Sequence, residues 1–172
     1  MGTVVKEETE RELVVRWQDP VQAAQGLVGI SGMEALERIV AGEHPPAPVQ
    51  ELVGFDLIGG EVGSISFLYR PHESHFNPIG SVHGGIIALL LDSAMGATVH
   101  STLAAGEAYT TLEMKVNAVK MVVPAVGEMK AEGKIIHRGN RVATVEGRLV
   151  SEDGTLYAHA TSTCMIMPLP AR

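Results

Sequence analysis

Asp92 directly follows six consecutive apolar residues, Ile86 to Leu91, in the stretch NPIGSVHGGIIALLLDSAMG, residues 77–96. An aspartate has poor helix propensity, and its burial without a partner costs free energy. It either caps a neighbouring loop through backbone amides or acts as a general base or nucleophile facing an apolar pocket. We favour the second interpretation, because carboxylates in unusual surroundings cluster at functional sites. At helical spacing its neighbours are apolar or small: Ala88, Leu89, Met95 and Gly96.

His83, Gly84 and Gly85 stand at the predicted start of the same helix. Two glycines leave the backbone N–H groups unobstructed, and the helix dipole favours negative charge there. Such amides can form an oxyanion hole, which needs donors aimed at a carbonyl oxygen. Alternatively, the glycines only allow close packing of the helix on a sheet. We expect His83 to orient the loop by a side-chain hydrogen bond rather than to act as the base.

His83 and Asp92 are nine residues apart, which at about 100° per residue is half a turn out of phase. If both lie on one helix, they point to opposite sides. One chain then cannot readily bring the Gly84 amide and the Asp92 carboxylate to the same carbonyl, whereas two antiparallel copies can. The spacing predicts a composite site at a two-fold dimer interface. This prediction depends on His83 belonging to the helix.

The elements that position these residues follow from turn signals and periodicity. Asp19-Pro20 and Ser31 predict the starts of two short helices, and HPPAPVQ predicts a connector without a regular element. A hairpin with its turn at Gly59-Gly60 and a helix over 82–103 come next. Gly139-Asn140 and Asp153-Gly154 suit turns. The later strands are predicted over four segments: 108–123, 127–138, 141–152 and 155–167.

This order, two strands, a helix and four strands, lacks βαβ alternation and predicts an α+β fold with a mostly antiparallel sheet. The helix is apolar on nearly every side, so we expect the sheet to curve around it in the hot-dog arrangement. We divide the chain into a tail with short helices, residues 1–48, and the sheet-and-helix domain, residues 49–172.

Composition excludes several classes of protein. The net charge of −7 argues against general nucleic-acid binding, which needs a basic face. The charged start of the chain lacks the apolar segment of a secretory signal, and no apolar stretch is long enough to span a membrane. A single cysteine, Cys164, allows no internal disulfide and reads as a buried core thiol. We therefore expect a cytoplasmic location.

The run Asn77-Pro78-x-Gly80-x-x-His83-Gly84-Gly85, with Asp92 nine residues after the histidine, resembles the signature of PaaI-type hot-dog thioesterases. This group belongs to the 4-hydroxybenzoyl-CoA thioesterase superfamily. The segments YTTLEMKVN, 109–117, and HRGNRVATVEGRL, 137–149, resemble the family's next strand and hairpin. The resemblance covers residues 50–167 and says little about the acyl group.

The resemblance implies hydrolysis of an acyl-CoA by a homodimer or a dimer of dimers. Asp92 matches the catalytic carboxylate, and Gly84 the amide that polarises the thioester carbonyl. Asn77 matches a side-chain amide that assists, His83 the supporting loop histidine, and Thr111 a hydroxyl that places water. No cofactor is implied, since coenzyme A is part of the substrate. The substrate-binding residues are predicted to be Gly85, Arg138, Gly139, Asn140 and Arg141, with the arginines meeting phosphates or else lying in a solvated turn.

Two departures from the family pattern stand out. Strand alternation places Thr111 with Glu113, opposite Leu112, so Thr110 could be the inward hydroxyl instead. Where the family often has a basic residue followed by proline, this chain has Lys120-Met121, and the strand could run on to Pro124.

Two other functions compete. An enoyl-CoA hydratase of the same fold would pair a histidine with the carboxylate, but the spacing of His83 and Asp92 suits this poorly. A non-catalytic acyl-CoA binder would have no use for Asp92. His72 and His75 lack a third ligand at zinc spacing, so we expect no metal. GSVHG around Ser81 is not a nucleophile elbow.

Overall fold

A computed structural model describes residues 10–169 of the chain. Its centre is the helix α4 (Gly84–His100), which packs against the sheet and leaves one side, with Gly85, Ala88, Leu89 and Asp92, only partly covered. Nine of its residues are buried, among them Leu90, Leu91 and Met95. The helix begins after His83 and ends at His100, inside the predicted range 82–103.

Six antiparallel strands form one sheet in the order β1-β2-β4-β5-β6-β3. Because α4 connects β2 to β3, at the far edge of the sheet, the sheet curves over the helix and confirms the predicted hot-dog arrangement. The strands are β1 (Phe55–Glu61), β2 (Ser64–Tyr69), β3 (Glu107–Ala118), β4 (Met129–Arg138), β5 (Val142–Ser151) and β6 (Leu156–Pro168).

Glycines in the central strands let the sheet approach α4 closely. A Cβ on Gly133 in β4 would meet Thr98 Oγ1 and would lie 2.5 Å from the Ala94 carbonyl oxygen. A Cβ on Gly147 in β5 would lie 2.9 Å from Cγ of Met95. The helix therefore approaches the backbone of β4 directly, and it packs on β5 through the Met95 side chain.

Three short helices precede the sheet: α1 (Pro20–Gln25), α2 (Gly32–Val40) and α3 (Pro48–Val53). The two predicted caps are confirmed, since Asp19 Oδ1 accepts from the Val21 amide at 2.8 Å and Ser31 Oγ from the Glu34 amide at 3.3 Å. The helix α2 packs on β1 and α4.

The prediction that HPPAPVQ holds no regular element is wrong. Pro48 occupies the first turn of α3, where its missing N–H costs nothing because that amide has no partner within the helix. The Gln50 side chain caps this turn by accepting from the Ala47 amide at 3.1 Å.

The β1–β2 turn lies at Val62-Gly63, not at Gly59-Gly60 as predicted. Gly59 follows a bulge inside β1, and a Cβ on Gly60 would meet the Ser64 carbonyl oxygen. The prediction that the next strand continues to Pro124 is also wrong, because β3 ends at Ala118.

The turns at Gly139-Asn140 and Asp153-Gly154 are confirmed. No helix within residues 10–169 is long and apolar enough to cross a membrane. Residues 1–9 of the predicted tail and 170–172 of the predicted domain lie outside the described residues, and the boundary at residue 48 stays a prediction.

Candidate functional site

The start of α4 presents one free backbone amide. His83 is the N-cap, with extended backbone angles (φ −61°, ψ 137°), and its Nδ1 accepts from the Gly85 amide at 2.9 Å. The Gly84 amide donates to no group within residues 10–169, and Gly84 is exposed. The helix therefore offers the Gly84 N–H to a ligand, while the Gly85 N–H is held by His83. A substrate-binding role for Gly85 stays a prediction.

His83 lies outside the helix proper, so the half-turn count between His83 and Asp92 does not hold. The distance between Gly84 and Asp92 nevertheless supports the same prediction, a site shared by two copies of the chain. Gly84 and Asp92 are eight residues apart in one helix, or about 12 Å along its axis at 1.5 Å per residue. One carbonyl group cannot contact both the amide and the carboxylate of a single chain.

The loop before α4 is tied down by its own side chains. Asn77 Oδ1 accepts from the amides of Ile79 at 3.0 Å and Ser81 at 3.4 Å, and its Nδ2 donates to Ser81 Oγ at 3.0 Å. Asn77 therefore holds the loop closed. Its predicted contact with the thioester carbonyl stays a prediction, since both ends of its amide already have partners.

A buried pair supports this loop from beneath. The Tyr69 hydroxyl and His75 Nδ1 are 2.9 Å apart, and the His75 carbonyl accepts from the His83 amide at 2.8 Å. Burial raises the pKa of Tyr69 to about 12. Burial, and then repulsion from His72, lowers the pKa of His75. The N-cap of α4 is thus anchored to β2 through a neutral hydrogen-bonded pair.

Asp92 is half-buried, and its Oδ1 accepts from Thr111 Oγ1 at 3.0 Å. Thr111 faces the helix because β3 contains a bulge. Thr111 pairs with Cys164 and Glu113 with Thr163, which leaves Leu112 as an extra residue on the outer side.

The bulge reverses the alternation along β3. Tyr109 and Thr111 face α4 before it, Met114 and Val116 pack on the core after it, and Thr110 is exposed. The interpretation that Thr110 points inward is wrong, because strict alternation does not hold across a bulge. Thr111 is therefore brought to Asp92, and its catalytic role stays a prediction.

A cavity of about 360 Å³, here called the Ser93 cavity, lies between α4, β3 and the N-terminal helices, and Asp92 is not part of its lining. Ser93, Ala97 and His100 line it from one face of α4, and Tyr109 lines it from β3. Sequence reasoning missed these residues, although the spacing 93, 97, 100 is a helical stripe. Most of the remaining wall is apolar and comes from α2, α3, β1 and β2, and includes Leu36, Ile39, Val49, Phe55, Leu57 and Phe67.

A second, smaller depression, the Gly84 groove, lies at the start of α4. It holds about 290 Å³ and is lined by Gly84, Ile87 and the segment 118–122 that follows β3. The Lys120 ammonium lies 5.0 Å from the centre of the Tyr157 ring, which holds this cation beside the groove. The structure thus separates the Gly84 amide, with a nearby cation, from the Asp92 carboxylate by about 12 Å along α4.

The predicted phosphate-binding turn contains one paired and one unpaired arginine. Arg138 Nη2 lies 3.1 Å from Glu107 Oε2, and its Nε donates to Thr102 Oγ1 at 3.2 Å. Arg141 is exposed and contacts no carboxylate of the described residues. Asn140 and Arg141 border a shallow groove of about 820 Å³, with Gly139 in the turn beside them.

No three side chains of His, Cys, Asp or Glu within residues 10–169 lie together as metal ligands would. His72 instead contacts Ser74, its Nδ1 lying 2.8 Å from Ser74 Oγ. Cys164 is fully buried as predicted, 3.8 Å from Ser162 Oγ. Ser81 is buried and bonded to Asn77, which is unlike an exposed nucleophile.

Comparison with known proteins places this geometry in context. The model of the thioesterase superfamily matches residues 79–158, which include α4, β3, β4 and β5. A proposed thioesterase of Ralstonia eutropha JMP134, described as a phenylacetic acid degradation-related protein, is 30% identical. Its structure matches with a TM-score of 0.69 over 76% of this chain and 98% of its own.

Two further relatives are similar. A conserved protein of Pseudomonas aeruginosa is 27% identical, with a TM-score of 0.66 over 71% of this chain and 95% of its own. A proposed esterase of Halobacterium salinarum is 33% identical over 86 residues, which are 50% of this chain. The match spans only 56% of that curated relative's length.

Proposed function

The chain belongs to the thioesterase superfamily and has its hot-dog fold, and we propose that it is a thioester hydrolase whose substrate is an acyl-CoA. The observation that carries this proposal is the division of α4 into two chemical halves. Its first residue offers an unpaired amide, and Asp92, about 12 Å further along, holds a carboxylate oriented by Thr111. The signature around these residues further supports a PaaI-type member of the superfamily.

Two copies of the chain form each site in this proposal. The Gly84 amide of one subunit binds the thioester carbonyl oxygen, and Asp92 of its partner faces the carbonyl carbon. The helix dipole and the unpaired N–H stabilise the negative charge that develops on the oxygen. The protein is therefore a homodimer or a dimer of dimers.

Asp92 supplies the nucleophile in one of two ways. It removes a proton from a water whose oxygen attacks the carbonyl carbon, or it attacks the carbon itself and water then releases the acyl group. In both cases the C–S bond breaks, the thiolate of coenzyme A leaves with a proton, and a free acid forms. Thr111 holds the Asp92 carboxylate in position by donating a hydrogen bond to Oδ1, which leaves Oδ2 free for the reaction.

Coenzyme A carries phosphates, which exposed basic side chains can bind. Arg141 has no carboxylate partner among the described residues, whereas Arg138 is already paired with Glu107. Lys120 lines the Gly84 groove together with Gly84. Arg141 and Lys120 are therefore stronger candidates for phosphate contacts than Arg138.

A hydratase is poorly supported. Its chemistry needs a histidine beside the carboxylate, but His83 is at the start of α4, and its Nδ1 already accepts from the Gly85 amide. The histidine within this helix, His100, lies eight residues after Asp92, about 12 Å away along the axis. No specific observation favours a non-catalytic binder.

The proposal is tested by hydrolysis of short, medium and long acyl-CoAs, phenylacetyl-CoA and hydroxybenzoyl-CoA. We expect Asp92→Asn to lower the turnover of the best substrate by about 10²- to 10⁴-fold, as loss of a proton-transfer group does. The matched control is Asp56→Asn, which changes an exposed aspartate paired with Arg70 and leaves turnover unchanged. Equal activity of Asp92→Asn and wild type would overturn the assigned role. Tight acyl-CoA binding without hydrolysis by wild type would favour the binder.

A further inference from the structure

Ser162 places a hydroxyl on the inner, apolar face of the sheet. It lies in β6 on the same face as Ala160 and Cys164, and all three residues are buried. A buried hydroxyl costs free energy unless it finds a partner. The hydrogen bonds of Ser162 therefore indicate what this side chain does in the core.

The Ser162 hydroxyl donates to the backbone carbonyl of Glu113 in β3 at 2.8 Å. Its Oγ also lies 3.8 Å from Cys164 Sγ. Because the single hydroxyl hydrogen of Ser162 goes to Glu113, the thiol is the donor in the second contact. Burial raises the pKa of Cys164, so the thiol keeps its hydrogen near neutral pH. The thiol, the hydroxyl and the carbonyl therefore form one directed chain of hydrogen bonds.

The carbonyl that receives this hydrogen bond belongs to the bulge of β3. Leu112 is the extra residue, with Thr111 before it and Glu113 after it. A bulge disrupts the ladder locally, so contacts other than regular pairing help to hold the backbone there. On one side of the bulge Thr111 donates to Asp92 Oδ1 at 3.0 Å, and on the other side Ser162 donates to the backbone.

The bulge decides which hydroxyl faces the helix. Without it, one half of β3 would shift by one residue along β6, and the side chains of that half would turn to the other face. If the first half shifted, Thr110 and not Thr111 would face α4. If the second half shifted, Glu113 and Lys115 would enter the core, where unpaired charges are costly. Only the bulged strand turns Thr111 inward and keeps both charges outside.

The strand that carries Ser162 is well placed to hold this bulge. In the sheet order of the described strands, β3 is at the edge and has β6 as its one neighbour. Ser162 itself lies between two partners, Met114 in β3 and Val145 in β5. Its position is therefore fixed by the interior of the sheet, while the bulged strand is free on its other side within one chain.

We propose that Ser162 is a positioning residue for Asp92: its hydroxyl holds the bulge of β3, so that Thr111 rather than Thr110 faces the carboxylate. This inference rests on the proposed acyl-CoA hydrolysis, because Asp92 has its assigned role only in that reaction. Ser162 does not touch the substrate and acts through Thr111.

Steady-state kinetics of Ser162→Ala test this role. With the best acyl-CoA, kcat should fall by about three- to tenfold, the equivalent of one neutral hydrogen bond, while KM changes by less than about twofold. The matched control is Ser151→Ala, which removes another buried hydroxyl, one that donates to Asp153 in the β5–β6 turn. This control should leave kcat unchanged.

The same substitution in Thr111→Val separates positioning from a loss of stability. Because Ser162 acts through the Thr111 hydroxyl, Ser162→Ala should change the kcat of Thr111→Val by less than about twofold. Equal losses in this background and in wild type would overturn the proposal, as would a wild-type kcat in Ser162→Ala. If Ser162→Ala does not fold, Ser162→Cys takes its place in both backgrounds, since it fills the same space with a weaker donor.

A crystal structure of the Ser162 variant separates this proposal from the proposed function. The distance between Thr111 Oγ1 and Asp92 Oδ1 should exceed about 3.5 Å in the variant, beyond a hydrogen bond. An unchanged contact at 3.0 Å would overturn the positioning role, whatever the activity. If wild type hydrolyses no acyl-CoA, the thioesterase function fails, and this distance alone decides whether Ser162 positions the pair.

Discussion

Thr111 Oγ1 donates a hydrogen bond to Asp92 Oδ1 at 3.0 Å, and this contact joins the third strand to the central helix. It depends on the Leu112 bulge, without which the strand would turn a different hydroxyl toward the helix. An isolated carboxylate on an apolar helix would adopt several rotamers, whereas Asp92 has one held by a donor. The position of the Asp92 carboxylate in the proposed reaction therefore depends on a β-bulge in the third strand.

Removing this donor should impair turnover without unfolding the protein. Thr111→Val keeps the shape of the side chain and deletes the hydroxyl. A hydrogen bond to a charged group contributes about 1.5–3 kcal/mol, so we expect kcat to fall by roughly 10- to 100-fold. Thr111→Ser retains the hydroxyl and should stay near wild type. Steady-state kinetics with the best acyl-CoA would check this, and equal rates for Val and Ser variants would contradict it.

The Gly84 amide can be deleted without breaking the helix. Gly84 is the first residue of α4, where proline is well accepted, and the extended backbone of His83 is compatible with a following proline. No atom lies within 4 Å of a Cβ built at Gly84. Gly84→Pro should therefore lower kcat by about 10²- to 10³-fold, as loss of an oxyanion donor does.

Gly84→Ala is the matched control for this amide, since it adds a Cβ and keeps the N–H. It should retain most of the activity, and both variants should have thermal midpoints close to that of wild type. Similar activity losses in the alanine and proline variants would indicate a steric effect rather than a lost hydrogen bond.

Replacing Gly133 by alanine should destabilise the protein more than replacing Gly147, because the two glycines face different parts of α4. The added methyl of Gly133→Ala meets Thr98 and the backbone of Ala94, which cannot move away, and Thr98 Oγ1 already accepts from the Ile65 amide. In Gly147→Ala the obstacle is the flexible Met95 side chain. We expect losses in unfolding free energy of about 3 kcal/mol or more at Gly133 and about 1 kcal/mol at Gly147. Urea denaturation measures both, and the reverse order would contradict this packing.

The free energy of unfolding should decrease as the pH falls, because His75 is buried. Burial and His72 depress its folded pKa, while the unfolded chain has a pKa near about 6.5. Below that pH the His75 side chain binds a proton more readily in the unfolded chain than in the folded chain. Its contribution to the unfolding free energy is therefore fully present above about pH 6.5 and is lost as the pH falls. His75→Gln should show a smaller drop in unfolding free energy between about pH 7.5 and pH 5.

The exposed His159 provides the comparison for this pH dependence. His159→Gln should follow the wild-type curve. Identical curves for His75→Gln and wild type would mean that the buried Tyr69–His75 pair does not contribute to the acid sensitivity.

Features with a local signal were predicted from the sequence. The caps at Asp19 and Ser31 and the turn at Asp153 each depend on a side chain that bonds to backbone only a few residues away. The apolar helix was also recognised, since its composition is more apolar than that of a surface helix, and most of its residues are buried. The overall arrangement then followed from the order of the elements.

The failures involve residues whose conformation depends on distant partners. The glycine pair at residues 59 and 60 has the sequence of a turn but lies in a strand whose bulge is set by pairing with β2. Leu112 gives no sign of the bulge that reverses alternation along β3. The Ser93 cavity was unpredictable for the same reason, because its walls come from segments spread between residues 36 and 109.

The separation of Gly84 and Asp92 along one helix has a genetic consequence. In the proposed dimer each site takes its amide from one subunit and its acid from the other. A mixed dimer of a Gly84→Pro subunit and an Asp92→Asn subunit therefore collects both defects in one site and leaves the second site intact. Two alleles that are each inactive should complement when co-expressed, with random pairing restoring roughly a quarter of wild-type activity.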